Sequence, residues 1–318
     1  MNIFWDYVLI SVPIGITFLL GCIGEILTEK VGHLNLGIPG IMCVGGASGC
    51  LALVAMHGTN IPAFLIVIIS ILASFAGGAL MGALYSLLTV TLKANQNVTG
   101  LAMTTFGAGA CKFIMHGLSE TSQQYLFAVK YFRFPFAAST SSIKYWGVMM
   151  YLALIIAVVA AFVLHRTKVG LHLRAVGENP ATADAAGINV TAYKYGTTCI
   201  GSGIAALGGF FYIMDCSGSR EAYKGIETLG WLSVALVIFT LWRPLLSIVG
   251  SILFGFLYLA GSYIPTLLGI KLGPNATPLL QMLPYVVTII VLIISSVRKK
   301  RENQPPAGLG IPYFREER

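Results

Sequence analysis

Residues 31–92, VGHLNLGIPGIMCVGGASGCLALVAMHGTNIPAFLIVIISILASFAGGALMGALYSLLTVTL, contain no Asp, Glu, Lys or Arg. A helix needs about 20 apolar residues to cross the hydrocarbon of a bilayer, so this stretch alone accommodates two crossings. Only helices and closed barrels satisfy their backbone inside lipid. Barrel strands alternate apolar and polar residues in short segments, and these runs do not alternate. The stretch reads as paired transmembrane helices, and the chain around it as an all-α, polytopic membrane protein.

The remaining sequence extends that pattern. Of the 318 residues, 56% are hydrophobic and only 10% are charged, with a mean hydropathy of +0.81, against about 25% charged in a soluble domain. Nine spans are expected (eight to ten), at 7–27, 36–56, 63–91, 98–115, 146–165, 192–214, 229–242, 245–264 and 279–297. Gly37-Ile38-Pro39-Gly40 at the start of the second is expected to break or bend it. The first run lacks a basic n-region and a small-residue cleavage site, and so reads as a retained span. Residues 1–297 form one membrane domain, and 298–318 a basic, then Pro-rich tail with a disordered end. A polar loop over 116–145 is the only sizeable one on its side. No internal sequence repeat stands out.

A net charge of +8 would point to nucleic acid in a soluble protein, but here the cations gather at span ends. Lys30, Lys93, Arg166, Lys168, Arg174, Lys194, Arg243 and the tail cations Arg298, Lys299, Lys300, Arg301, Arg315 and Arg318 fall on one side, which the excess of Lys and Arg makes cytoplasmic. Lys112, Lys130, Arg133, Lys144, Arg220, Lys224 and Lys271 fall on the other. The C-terminus is then cytoplasmic and no nucleic-acid partner is implied.

On the cytoplasmic side lies the one long polar stretch between spans, residues 166–191. Inside it Asn179 can cap a helix, Pro180 takes the first helical position, and Gly187 supplies the left-handed stop. The 179–187 helix is short, and its face is nearly all alanine. Small residues at four-residue spacing (Gly78 and Gly82, Ser202 and Ala206) allow close helix packing in lipid.

Several chemistries are excluded. There is no Walker A loop, HExxH or GxSxG motif, and Gly201-Ser202-Gly203 lies inside a span rather than after a strand. The six cysteines form no CxxC pair, so neither a metal site nor a disulfide framework is indicated. Span centres carry no ionisable carboxylate, lysine or arginine. Glu25 and Asp215 lie near span ends. Proton-coupled carriers need buried titratable groups, so their lack weakens the reading as a stand-alone secondary carrier and favours a neutral solute.

The wording of residues 174–190 (Arg174-Ala175-Val176-Gly177-Glu178-Asn179-Pro180, then Ala183 and Ala185-Ala186-Gly187-Ile188-Asn189-Val190) closely resembles the coupling segment of bacterial ABC importer permeases. The branch is that of ribose, nucleoside and branched-chain amino acid permeases. Residues 24–40 and 94–102 resemble two further stretches of the same family, although Pro39 stands where the family usually has an acidic residue. The wording is closest to permeases for nucleosides or simple sugars.

The resemblance implies a type II importer-like bundle in the bacterial inner membrane. Its expected partners are a cytoplasmic ABC ATPase, which binds the ATP, a second permease (the same or a different chain) and an extracytoplasmic solute-binding protein. This subunit is then no enzyme and holds no cofactor. Arg174, Gly177, Glu178, Asn179, Pro180, Ala183, Ala186 and Gly187 would form the ATPase-coupling joint, with Arg174 and Glu178 as charged contacts and Gly177 and Gly187 as backbone bends. Asn35, Asn97, Thr99, Thr104, Thr105 and Phe106 are the expected path residues, offering amides, hydroxyls and an aromatic face to a nucleoside. A ribose-like sugar or a branched-chain amino acid is the alternative solute.

Overall fold

A computed structural model describes residues 3–118, 147–217, 222–269, 279–280, 282–298 and 304–314. Helices α1 (Ile3–Lys30), α2 (Ile38–Ala55), α3 (Ala63–Ser86) and α4 (Gln96–Gly117) come first, with a π-helical turn, Leu87–Thr91, extending α3. Then follow α5 (Val148–Arg166), α6 (Lys168–Glu178), α7 (Pro180–Ala185) and α8 (Val190–Phe211), the last widening into a π turn at Tyr212–Ser217. A 3-10 turn, Ala222–Gly225, leads into α9 (Ile226–Phe239), followed by α10 (Pro244–Leu268) and α11 (Leu283–Arg298). No strand occurs among the described residues. Most of the 116–145 loop with Lys130, Arg133 and Lys144, then Trp146, Arg220, Lys271, position 281 of the 279–297 span and the tail cations beyond Arg298 lie outside the described residues.

Among the described residues eight helices are long and apolar enough to span a bilayer: α1 to α5 and α8 to α10, counted with their π and 3-10 extensions. The expected ninth span corresponds to α11, whose 16 residues rise about 24 Å, short of the ~30 Å core. The expected bend at Gly37–Gly40 is instead a helix start. Ile38 opens α2 with the proline in its first turn, where the missing N–H costs nothing.

Helices α1, α2 and α8 form the centre of the bundle, and α3 packs on α2 and α8. Where α1 crosses α8, a Cβ on Gly201 would stand 2.5 Å from the Gly24 carbonyl oxygen, so both helices need glycine there. The small-residue rows face each other as expected: a Cβ on Gly82 would meet Ser202 Oγ at 2.6 Å. Outward faces carry Phe64, Leu72 and Leu80 on α3, Ile155 and Phe162 on α5, and Ile289 and Ile293 on α11, all exposed. Such faces suit lipid or a partner helix.

The ionisable groups of the helices sit near their ends, as expected, but they are buried in protein. Glu25 and Glu29 in the last turns of α1, Lys194 near the start of α8 and Asp215 after its end are all almost wholly covered.

Candidate functional site: the α6–α7 joint and the α4 face

The polar stretch 166–191 folds into two helices rather than one. Thr167 caps α6 by accepting from the Gly170 N–H at 3.1 Å. Gly170, Leu173, Val176 and Gly177 are its buried positions, a three-to-four-residue period that marks one apolar face. That period is present in the sequence, but it is short and interrupted by charges, so it does not distinguish α6 from a polar loop. The next helix follows its local chemistry. Asn179 accepts from the Thr182 N–H at 3.0 Å, Pro180 sits in the first turn, and Gly187 ends it with φ +83°. Of α7, Ala183 is buried, while Ala181, Thr182, Ala185 and Ala186 stay open. The small face that could receive a partner is uncovered.

Gly177 fixes how this joint meets the membrane helices. A Cβ there would collide with the Lys30 carbonyl oxygen and lie 3.3 Å from the Gly32 nitrogen. The joint is therefore wedged against the turn between α1 and α2. Arg174 is partly buried, and its Nε donates to the Gly170 carbonyl at 3.4 Å. Together with Lys30, Glu178 and Arg243 it lines a cleft of about 590 Å³.

The tail, expected to end in disorder, is seated on the same joint over residues 304–314. Gly308 N–H donates to the Gly177 carbonyl at 2.9 Å and Gly310 N–H to the Gly32 carbonyl at 3.2 Å. Ala307 N–H reaches Glu178 Oε2 at 3.4 Å, and Tyr313 Oη donates to Asp184 Oδ2 at 2.8 Å. The composition of the tail gave no hint of this, because its bonds are made by backbone groups that only a partner surface can select.

Residues 31–37, the turn under Gly177, connect almost every neighbouring helix. Leu34 N–H donates to Gln96 Oε1 (2.8 Å) at the start of α4, and Tyr85 Oη from α3 donates to the Leu34 carbonyl (2.7 Å). Thr104 Oγ1 from α4 donates to the Leu36 carbonyl at 2.7 Å. His33 Nδ1 pairs with Thr198 Oγ1 of α8 at 2.8 Å, while its Nε2 has no partner among the described residues. Burial, with the nearby Lys194 charge, holds His33 well below its ordinary value of 6.5, so its ring is neutral.

The expected path residues divide between two faces of α4 and the turn. Asn35 is fully buried, and its Oδ1 accepts from the Gly37 N–H at 3.0 Å, a local turn contact. Thr99 and Thr104 are buried, Thr104 toward α2. Asn97, Thr105 and Phe106 lie on the open face, Phe106 being 57% exposed. That face continues through Gly109 to Lys112, Phe113 and His116, the full length of the helix. With α9, α4 is the least apolar of the candidate spans, at a mean hydropathy of 1.3. The cap of α4 is Asn95, which accepts from the Asn97 and Val98 N–H groups.

Comparison with known proteins places this geometry in context. The sequence model of the family described as branched-chain amino acid transport system / permease component matches residues 7–293. The chain is 33% identical to the nucleoside ABC transporter permease protein NupC of Lactococcus lactis subsp. cremoris, over 86% of each chain. It is 31% identical to the putative glucose ABC transporter permease protein TsgC13 of Haloferax volcanii, over 96% of each. With the guanosine ABC transporter permease protein NupQ of Bacillus subtilis it shares 28% identity, over 94% of this chain and 93% of that one. No solved structure matches significantly.

Proposed function

The chain belongs to the branched-chain amino acid transport system / permease component family, and on that premise we propose that it forms the membrane path of an ATP-driven importer for a neutral polar solute, in first place a nucleoside. Its end carrying α6, α7 and the tail then faces the cytoplasm of a bacterial cell, where a separate ABC ATPase docks on the open alanine face of α7. A second permease across the path and an extracytoplasmic binding protein complete the assembly.

The observation that carries this reading is a continuous mechanical link. Gly177 is wedged against Lys30 and Gly32, and the turn that follows is bonded to α4 through Gln96 and Thr104. Packed elements of this kind move as rigid bodies rather than deforming continuously. Displacement of α7 by a closing ATPase dimer is thereby passed to the ends of α1 and α2 and on to α4. The open face of α4 supplies Asn97, Thr105 and Phe106, and carries no charge between Asn97 and Gly109. A zwitterionic amino acid would leave two charges unpaired there at high cost, whereas a nucleoside finds an aromatic face and hydrogen-bonding groups. The names of NupC and NupQ support the nucleoside, and that of TsgC13 keeps a sugar as the second reading.

Gentle purification from the native membrane, with identification of the co-purifying chains, followed by uptake into proteoliposomes, tests this. ATP-dependent uptake of labelled guanosine or uridine, competed by nucleosides more than by glucose or ribose, is the expected result. Preferential uptake of sugar selects the second reading. Transport by the isolated chain without ATP would overturn the importer and install a stand-alone carrier.

A further inference from the structure

Beside α7, on the side away from Arg174, the end of α3, the start of α8 and the tail enclose a cleft of about 410 Å³. Lys194 lines it, yet the residue is only 4% exposed. Among the described residues its side chain forms no ion pair and no hydrogen bond. A buried cation in that condition is costly unless a counter-charge arrives. We propose that this cleft binds a phosphate group.

The rest of the lining fits an anion. Lys93 stands at the rim with its Nζ 4.4 Å from the Phe314 ring centroid, held there by a left-handed backbone at φ 55°. Thr191 brings a hydroxyl, whereas that of Thr89 already donates to the Tyr85 carbonyl at 2.8 Å. The cleft also takes in the first turn of α8, a helix of 22 residues, whose positive end favours anions. Asn189 satisfies the Ala192 N–H at 3.0 Å, which leaves the Val190 and Thr191 N–H groups outside that cap. Among the described residues Asp184 is the one carboxylate of the lining, and it accepts from Tyr313 Oη at 2.8 Å.

The phosphate can come from an anionic lipid headgroup or from free inorganic phosphate. Leu87 and Leu92, 44% and 64% exposed, flank the cleft at the end of α3, a placement suited to a bilayer surface. Occupation would neutralise Lys194 and clamp the start of α8 to the tail that overlies α7.

The test is thermal unfolding of the purified full chain, titrated separately with inorganic phosphate and with phosphatidylglycerol in a phosphatidylcholine background. Stabilisation by phosphatidylglycerol alone identifies the headgroup, and stabilisation by phosphate alone identifies the free ion. In either case Lys194→Met is expected to weaken apparent affinity about tenfold or more, the factor carried by one charge-assisted hydrogen bond. Lys168→Met, an exposed cation on α6, should leave it unchanged. If Lys194→Met fails to fold, Lys93→Met at the exposed rim takes its place. Stabilisation of wild type by neither titrant overturns the site, as does an equal response of wild type, Lys194→Met and Lys93→Met.

Discussion

The backbone N–H of Gly308 donates to the carbonyl of Gly177 at 2.9 Å. It joins a tail residue to the joint between α6 and α7, more than a third of the chain away. Because Gly177 also abuts Lys30 and Gly32, this one bond puts the tail, the joint and the first inter-helix turn in register. Removing residues 304–318 should therefore leave insertion of the helices intact, since these rest on their own apolar packing. Amide exchange at Gly310's partner region, residues 31–33, and along α7 should rise. ATP-driven uptake should fall more than the amount of protein in the membrane.

A second prediction concerns Gly177 itself. Gly177→Ala already places a Cβ against the Lys30 carbonyl, which backbone cannot yield easily. A loss of about 1–3 kcal/mol is expected, the usual range for overpacking. Gly187→Ala is the matched comparison. Among the described residues no atom lies near its Cβ, so only the left-handed φ of +83° is penalised, at about 1 kcal/mol. Chemical unfolding in detergent separates the two effects.

At the end of α9, Leu241 and Trp242 both adopt positive φ, at 54° and 56°. Non-glycine residues rarely do so. The conformation delivers Trp242 Nε1 to the buried Glu29 Oε2, to which it donates. Trp242→Phe removes that donor and leaves a buried carboxyl oxygen unsatisfied. A cost of about 1–3 kcal/mol is expected, and Glu29→Leu in the same background should recover part of it. A double-mutant cycle on unfolding midpoints measures the coupling.

The pH dependence of stability should report His33. Its folded value lies well below the ordinary 6.5, because burial and Lys194 disfavour the imidazolium. Above 6.5 the folded and unfolded states bind the same number of protons there, and the full stability is present. As pH falls below 6.5 the unfolded chain takes up a proton that the folded chain refuses. Stability then declines by up to about 1.4 kcal/mol per pH unit, until the folded value is reached. His33→Gln should flatten the unfolding midpoint between pH 7 and 5 relative to wild type, and an unchanged slope would assign the effect elsewhere.

The two faces of α4 predict opposite phenotypes. Phe106→Ala and Thr105→Val change exposed side chains and should alter KM for uptake at least several-fold, with unfolding midpoints close to wild type. Thr104→Val removes the 2.7 Å bond to the Leu36 carbonyl. It should cost about 1 kcal/mol of stability and loosen α4 from the turn, lowering transport without a change in substrate preference.

Much of this arrangement was legible in the residues because its causes are local. The Asn179 cap, the Pro180 start and the Gly187 stop act within one turn, and each is found where the sequence puts it. The small residues of α3 and α8 likewise face each other, since four-residue spacing fixes one side of a helix. Helix α6 is not legible in the same way, because a short amphipathic segment with Lys168, His172 and Arg174 has the composition of a polar loop. The burial of Lys194 could have been suspected, because Lys194, Thr198, Gly201 and Ala205 share the packing face of α8 by spacing. Glu29 stands four residues after Glu25 and shares its face for the same reason.

The sequence by itself determined the membrane class, the order of the spans and the capped helix of the joint, because hydropathy, helical period and caps act over a few residues. Tertiary structure alone decided that the tail lies on Gly177, that Trp242 meets Glu29 and that α4 keeps one face open while the other binds the turn. Those outcomes depend on which backbone groups and side chains are brought together from distant parts of the chain. No local pattern encodes such a meeting, because its energy exists only once both partners have left water or lipid for each other.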